Sequence, residues 1–192
     1  MILASNSQRR QEILKDAGFN FKIIKPDIDE RSNKEIITEK ILDIAIKKLE
    51  HIAKDNSNDF ILAADTVVEL DGKILGKPKN REEAYNFLKA LSGRIHRVIT
   101  AYAFKNISKN IFIKDVVISE VEFWKLDTET INWYLDTGEF IDKAGAYGIQ
   151  GYGRIFVKEI KGDYYSIMGF PISNFLENLR KIGFKMSQID KI

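Results

Sequence analysis

The stretch that decides the fold is Phe60-Ile61-Leu62-Ala63-Ala64-Asp65-Thr66, a continuous apolar run that ends in a carboxylate and a hydroxyl. A run of this length beside polar residues is typical of a strand buried in an α/β sheet. We therefore expect Asp65 at the tip of this strand, where open α/β sheets commonly place ligand-binding residues. A lone aspartate there is more often a turn or cap residue, so its significance depends on the residues that accompany it.

The sequence on either side of this stretch predicts further strands and helices. Strands are expected over residues 2–4, 19–24, 67–70, 73–75, 95–104, 111–125 and 154–160. Helices are expected over residues 9 to about 18, 35–53, 81–91 and 127–135, and from Pro171 onward. Asp71-Gly72 is the strongest hairpin signal. No repeat or linker separates independent domains, so residues 1–192 are expected to form one compact domain.

Composition narrows the classes of function. The 192 residues contain 30 basic and 28 acidic side chains, a net charge of +2, which argues against strong non-specific binding to nucleic acid. Without cysteine, the chain has neither disulfides nor thiolate metal ligands. The N-terminus lacks the pattern of a signal peptide, and no apolar run is long enough to span a bilayer. We expect a cytoplasmic protein with no membrane partner.

Three groups of basic residues are candidates for binding phosphate. Residues 5–10 place two serines and two arginines around a predicted helix N-terminus, where free N–H groups favour an anion. Alternatively, Ser7 only caps the helix and both arginines are solvated. The lysines Lys47 and Lys48 lie on or beside the polar face of the long helix, and Lys77 precedes Pro78. Lys48 and Lys77 are candidate phosphate clamps, although each taken separately is typical of a surface lysine.

A predicted acidic loop offers further carboxylates in addition to that of Asp65. Asp27, Asp29 and Glu30 supply carboxylates, which are the oxygen ligands that Mg²⁺ prefers together with water and substrate phosphate. An ordinary solvated loop is the alternative. Only His51 and His96 are present, which argues against a histidine-rich zinc site, and we interpret His96 as structural.

Five ordered segments of this chain resemble the Maf family of nucleotide pyrophosphatases. They are Ser5-Asn6-Ser7-Gln8-Arg9-Arg10, Ala64-Asp65-Thr66-Val67-Val68, Gly76-Lys77-Pro78, Leu91-Ser92-Gly93 with His96 and Thr100, and Asp142-Lys143-Ala144-Gly145-Ala146-Tyr147-Gly148-Ile149-Gln150-Gly151. Their order and spacing match along nearly the whole chain. The last segment resembles the subgroup that acts on dTTP and UTP.

The resemblance implies an α/β fold similar to that of inosine triphosphatases, elongated and two-lobed, with a mixed twisted sheet flanked by helices and a substrate cleft between the lobes. It also implies a homodimer. Asp65 is then the proton acceptor and, with Glu30, the ligand of Mg²⁺ or Mn²⁺. The residues implied to bind the triphosphate are Ser5, Arg10, Lys48 and Lys77. Those implied to select the base are Arg9, Thr66 and Gln150.

The expected reaction is attack of water on the α-phosphorus of dTTP or UTP, with release of pyrophosphate. Modified pyrimidine nucleotides are a further substrate class. The Gln150 amide offers one donor group and one acceptor, which suits the edge of uracil or thymine. One alternative is the same reaction on inosine or xanthosine triphosphate. Another is a non-catalytic regulator of cell division or a nucleic-acid binder, since a fold alone does not establish activity.

Overall fold

The computed structural model describes residues 1–192, except for the side chain of Lys191. The strands are β1 (Ile2–Leu3), β2 (Lys22–Ile23), β3 (Ile61–Leu70), β4 (Lys73–Leu75), β5 (Ile95–Asn106), β6 (Ile111–Phe123) and β7 (Val157–Lys161). The α-helices are α1 (Gln8–Asp16), α2 (Ile37–Ala53), α3 (Arg81–Leu91), α4 (Thr128–Asp136), α5 (Tyr164–Met168) and α6 (Ile172–Lys181). Short 3-10 helices cover Ala144–Ala146, Tyr152–Phe156 and Met186–Lys191.

The strands form one mixed sheet in the order β2-β1-β3-β5-β6-β7, and β4 pairs with β3 outside that path. β1 is parallel to both β2 and β3, whereas β4 and β7 are antiparallel to their neighbours β3 and β6. The predicted α/β fold with a mixed sheet flanked by helices is confirmed. None of the helices in the described residues combines the length and apolar character needed to cross a membrane.

The chain divides into two compact units. The first unit comprises Met1–Asp65, Thr100–Val117 and Gly169–Ile192, and the second comprises Thr66–Ile99 and Ile118–Met168. Strands β3, β5 and β6 each contribute residues to both units. The division on β3 falls between Asp65 and Thr66.

Helices cover both faces of the sheet in the first unit. Successive residues of a strand point to opposite faces, so Ala103 of β5 faces one way and its neighbours Tyr102 and Phe104 face the other. Ala103 belongs to a buried cluster with Leu49 of α2, whereas Tyr102 and Phe104 pack against Phe175 of α6. Burial of each such large apolar side chain contributes about 1.5–3 kcal/mol relative to exposure. The unit is therefore a three-layer α/β/α arrangement.

The second unit contains the antiparallel hairpin predicted from Asp71-Gly72. Both residues adopt positive φ, 52° and 78°, which is the conformation that a two-residue type I′ turn requires. α4 begins after Asp127, whose side chain accepts a hydrogen bond from Thr130 N at 2.7 Å, as the sequence predicts. A buried ring cluster lies beneath these elements and consists of His96, Phe123, Tyr134, Tyr147 and Phe156.

Two strands, β2 and β7, begin three residues later than predicted. The strand expected over residues 19–24 is limited to Lys22–Ile23, where it pairs with the two-residue β1. The strand expected over residues 154–160 starts only at Val157, because Tyr152–Phe156 forms a 3-10 helix. The backbone N–H groups of Tyr152 and Gly153 at its start bind a carboxylate, that of Glu139.

Candidate active site

Asp65 lies within β3 rather than at its end. The strand continues to Leu70, and its residues 68–70 pair with β4, so the prediction that the strand ends at Asp65 is wrong. The residues that precede Asp65 are buried, whereas the Asp65 side chain is 15% exposed. The carboxylate therefore stands where the buried part of the strand gives way to a partly solvated surface.

Lys48 holds the Asp65 carboxylate. Its Nζ lies 2.8 Å from Asp65 Oδ1 and 3.0 Å from Glu30 Oε2. The sequence predicted Lys48 on or beside the polar face of α2, but its side chain is only 9% exposed. It occupies a core-facing position, four residues after Ile44 and four before Ile52, and its flexible stem carries the ammonium group to the two carboxylates.

Arg10 is the second buried cation of the first unit. Its Nη1 donates to Ser5 Oγ at 3.0 Å, and its Nε donates to the carbonyl oxygen of Gly169 at 2.9 Å. Burial lowers the pKa of Arg10, while the carboxylates of Asp65 and Glu30 oppose that shift electrostatically. An arginine remains charged in such a site, so Arg10 is a fixed cation whose geometry is set before any substrate arrives.

The beginning of α1 differs from the simple capping alternative. Ser7 is the N-cap residue, but its side chain makes no cap hydrogen bond. The backbone N–H of Ser7 instead donates to Ser5 Oγ at 3.2 Å. Ser5 and Arg10 are buried and Arg9 is half-buried, so the alternative of two solvated arginines is wrong for Arg10.

The acidic loop contributes one carboxylate to this arrangement. Asp29 is bound by Arg31 at 2.6 Å, and that hydrogen-bonded pairing lowers the pKa of Asp29. Glu30, the next residue, turns to Lys48 although its side chain is 61% exposed. We call Ser5, Arg10, Glu30, Lys48 and Asp65 the charge cluster.

The charge cluster suits a divalent cation with oxygen ligands. Asp65 and Glu30 come from separate segments, yet both place an oxygen within 3.0 Å of the same ammonium group. Two carboxylates that converge on one positive charge match the way Mg²⁺ is usually bound, through one or two carboxylates completed by water and phosphate. In the part of the chain that the structure describes, no group of three or more His, Cys, Asp or Glu residues forms a metal site.

The remaining predicted site residues, Thr66, Lys77 and Gln150, belong to the second unit. Thr66 directly follows Asp65 on β3 and is half-buried. Lys77 is exposed on the loop after β4, and the neighbouring carbonyl of Gly76 accepts a hydrogen bond from Gly145 N at 3.1 Å. Gln150 is half-buried, and its carbonyl accepts a hydrogen bond from Arg154 Nη2.

We call residues 145–153, which contain Gln150, the glycine-rich segment. Its first glycine, Gly145, packs so closely on β3 that a Cβ there would lie 2.8 Å from Val68 Cγ2. Tyr147 places its hydroxyl 2.8 Å from His96 Nε2, and burial lowers the pKa of His96 to about 4. His96 is therefore a neutral group inside the ring cluster, which agrees with the interpretation of His96 as a structural residue.

Sequence reasoning missed Glu139 and Tyr134. Glu139 accepts hydrogen bonds from the backbone of Tyr152 and Gly153, at 2.6 and 3.0 Å, and from the Tyr134 hydroxyl at 3.2 Å. No periodic pattern marks a single glutamate that follows a glycine. The only available signal was the crowding of glycines downstream, which indicated that the backbone there passes close to something without naming the partner.

Known proteins resemble this chain over most or all of its length. The family model described as Maf-like protein matches residues 1–182. A relative from Fusobacterium nucleatum named dTTP/UTP pyrophosphatase is 79% identical over 192 residues, which is 100% of both chains. Another of that name, from Pyrococcus horikoshii, is 49% identical over 185 residues, 96% of this chain and 97% of the relative. A solved structure, that of the Staphylococcus aureus Ham1 protein, has a TM-score of 0.47 and 18% identity, covering 64% of this chain and 70% of that chain. The resemblance read from the five segments is confirmed, and the chain belongs to the Maf family.

Proposed function

We propose that the protein hydrolyses dTTP and UTP to the nucleoside monophosphate and pyrophosphate. The full-length relatives are named for this activity, and they belong with this chain to one family. The structural observation that carries the proposal is the buried Lys48 ammonium between the carboxylates of Asp65 and Glu30. That arrangement supplies both a base and a positive charge, which hydrolysis of a phosphoric anhydride requires.

Asp65 is the proposed proton acceptor. A water molecule that attacks the α-phosphorus must lose a proton as the new oxygen–phosphorus bond forms, and the bond to the pyrophosphate leaving group breaks. The Asp65 carboxylate is partly exposed, so water can reach it, and Lys48 fixes one of its oxygens at 2.8 Å. A base held in place in this way is oriented before the reaction rather than during it.

Arg10 and Lys48 are proposed to bind the triphosphate, together with Ser5 and Lys77. Negative charge develops on the bridging and terminal oxygens as pyrophosphate leaves, and fixed cations stabilise that charge more than mobile ones do. Arg10 meets this requirement because Ser5 and Gly169 hold its guanidinium group from two sides. Lys77 is the exposed member of the set.

We also propose Mg²⁺ or Mn²⁺ as the cofactor, held by Asp65 and Glu30. When bound, such an ion polarises a phosphate oxygen and helps to orient water. Hard oxygen donors fit either ion, and an ion held by two carboxylates would take its remaining ligands from water and phosphate oxygens. Loss of turnover in EDTA and its recovery on addition of either ion would support this assignment.

Base selection is assigned to Gln150, with Arg9 and Thr66. A single primary amide can donate to the carbonyl of uracil or thymine and accept from its N3–H. A homodimer in the cytoplasm, acting without a nucleic-acid or membrane partner, completes the proposal. Light scattering on the purified protein would measure the number of subunits.

The decisive experiment is product analysis with a panel of dTTP, UTP, CTP, GTP, ITP and XTP in the presence of Mg²⁺ or Mn²⁺. We expect dTTP and UTP to be converted fastest, with pyrophosphate and the monophosphate as products. A preference for ITP or XTP would retain the chemistry and overturn the assignment of Gln150. Release of inorganic phosphate and a nucleoside diphosphate would show that water attacks the γ-phosphorus instead of the α-phosphorus. Absence of turnover with every nucleotide would favour a regulatory or binding role.

A further inference from the structure

The glycine-rich segment is built around a single carboxylate. Glu139 Oε2 accepts from Tyr152 N at 2.6 Å, and its Oε1 accepts from Gly153 N at 3.0 Å. Both donors lie within three residues of Gln150 in sequence. A carboxylate that binds two successive backbone N–H groups fixes the path of the chain at that point, because the charged acceptor makes both hydrogen bonds strong.

Tyr134 extends this contact to the other side of Gln150. Its hydroxyl donates to Glu139 Oε1 at 3.2 Å and accepts from Gly148 N at 3.3 Å. Gly148 precedes Gln150 by two residues, and Gly153 follows it by three. The Glu139 and Tyr134 side chains therefore fix the backbone both before and after Gln150.

Two glycines of the segment lie against this carboxylate. A Cβ on Gly151 would overlap the Glu139 carboxylate, and one on Gly148 would lie 3.0 Å from Glu139 Oε1. A Cβ on Gly153 would lie 2.7 Å from the carbonyl oxygen of Gly148, so the two ends of the segment are also in contact. A side chain at Gly151 would meet Glu139 itself, one at Gly148 would meet Lys143 as well as Glu139, and one at Gly153 would meet the facing backbone.

We propose that Glu139 is a positioning residue for base selection, and that Tyr134 assists it. The inference rests on the proposed function, in which the Gln150 amide recognises the pyrimidine edge. Hydrogen bonds to a base depend steeply on position, so a small displacement of the segment weakens recognition of dTTP and UTP. ITP carries a similar carbonyl and N–H pair, but its imidazole ring places that edge farther from the ribose. Its recognition therefore does not depend on the same position of the Gln150 amide, and its kcat/KM is affected less. Glu139 touches neither the substrate nor the reacting atoms in this role.

The test compares kcat and KM for dTTP and for ITP in wild type, Glu139→Gln and Tyr134→Phe. Glu139→Gln keeps the size of the side chain but turns an NH₂ group toward a backbone N–H. We expect the ratio of kcat/KM for dTTP to that for ITP to fall by about tenfold or more, through KM for dTTP, because recognition by paired hydrogen bonds is lost. Tyr134→Phe removes a single hydroxyl and is expected to lower the same ratio by about threefold.

Glu159→Gln is the matched control, since Glu159 is exposed on β7 of the same unit. It should leave the ratio unchanged. A loss of activity in equal proportion for both nucleotides would show that Glu139 only maintains the fold, and it would overturn the inference. If Glu139→Gln does not fold, an unchanged ratio in Tyr134→Phe overturns it instead. Wild type that releases no pyrophosphate from any nucleotide refutes the proposed function itself, whereas an active wild type with unaffected variants refutes this inference alone.

Discussion

The charge cluster and the glycine-rich segment are held in place by opposite means. In the charge cluster, side chains from separate elements converge and are held by ion pairs and hydrogen bonds. Lys48 forms ion pairs with two carboxylates, and Arg10 is buried and donates hydrogen bonds to Ser5 and Gly169. In the glycine-rich segment, which carries the Gln150 amide, one carboxylate holds the backbone N–H groups in place. The first region should therefore be sensitive to removal of a side chain, and the second to addition of one.

The largest expected effect is that of Asp65→Asn. The amide keeps the shape of the side chain but cannot accept a proton, so kcat should fall by about 10²-fold or more, the usual contribution of a general base. The measurement is the rate of pyrophosphate release at saturating dTTP. Asp16→Asn, an exposed position in the same unit, should retain wild-type turnover. Wild-type turnover in Asp65→Asn would show that the proton goes to another group.

The second prediction concerns the stability of the folded protein at low pH, which should depend on His96, a buried residue of the second unit. Burial lowers the pKa of His96 from 6.5 to about 4, so the unfolded chain takes up a proton that the folded protein resists. Above pH 6.5 this term is constant. As the pH falls from 6.5 to 4, the free energy of unfolding should decrease by about 3 kcal/mol, and the loss remains below pH 4.

Urea unfolding at a series of pH values measures this term. His96→Leu removes the titrating group, so its stability should decline less steeply than that of wild type between pH 6.5 and 4. His51 is exposed on α2, and His51→Gln should keep the wild-type slope. Equal slopes in wild type and His96→Leu would mean that His96 titrates normally in the folded protein.

The third prediction compares two adjacent lysines of α2. Lys48 contacts Asp65 and Glu30 and is buried, whereas Lys47 pairs with Asp43 at 2.8 Å and its side chain is 44% exposed. Lys48→Met should lower kcat/KM by on the order of 10²-fold, because a fixed charge near the reacting phosphates is lost. Lys47→Met should stay within about threefold of wild type, since exposed ion pairs contribute little. Equal effects would contradict the placement of Lys48 in the charge cluster.

The sequence predicted elements whose pattern is local. The hairpin at Asp71-Gly72 and the capped helix after Asp127 follow from turn and cap chemistry, and α3 has the predicted bounds, Arg81–Leu91. Lys48 could also have been recognised as buried, because it lies in the apolar stripe of α2 between Ala45 and Leu49. A lysine in such a stripe needs a partner, and that requirement predicts a nearby carboxylate.

Long-range contacts could not be predicted in the same way. Glu139 lies 13 residues before its backbone donor Tyr152, and nothing in the intervening sequence relates the two. Glu30 was singled out by family resemblance, but only the structure distinguishes it from Asp29, which binds Arg31. Which carboxylate in an acidic loop meets a distant cation depends on loop conformation rather than on periodicity.

The smallest expected effect tests the glycine-rich segment by adding one methyl group. In Gly151→Ala the new Cβ would overlap the Glu139 carboxylate, which can move away only by losing its hydrogen bonds to Tyr152 N and Gly153 N. The free energy of unfolding should therefore fall by about 1–3 kcal/mol. Gly76→Ala is the matched control, because no atom lies within 4 Å of its Cβ and its φ is not positive. It should change stability by less than about 0.5 kcal/mol.

A double-mutant cycle tests the same contact directly. In a Glu139→Ala background the overlap is gone, and the loss of unfolding free energy caused by Gly151→Ala should be smaller by about 1 kcal/mol or more. If the losses of unfolding free energy in Gly151→Ala and Glu139→Ala are additive, the segment does not close around Glu139. The glycine-rich segment would then not differ from the charge cluster in its sensitivity to an added side chain.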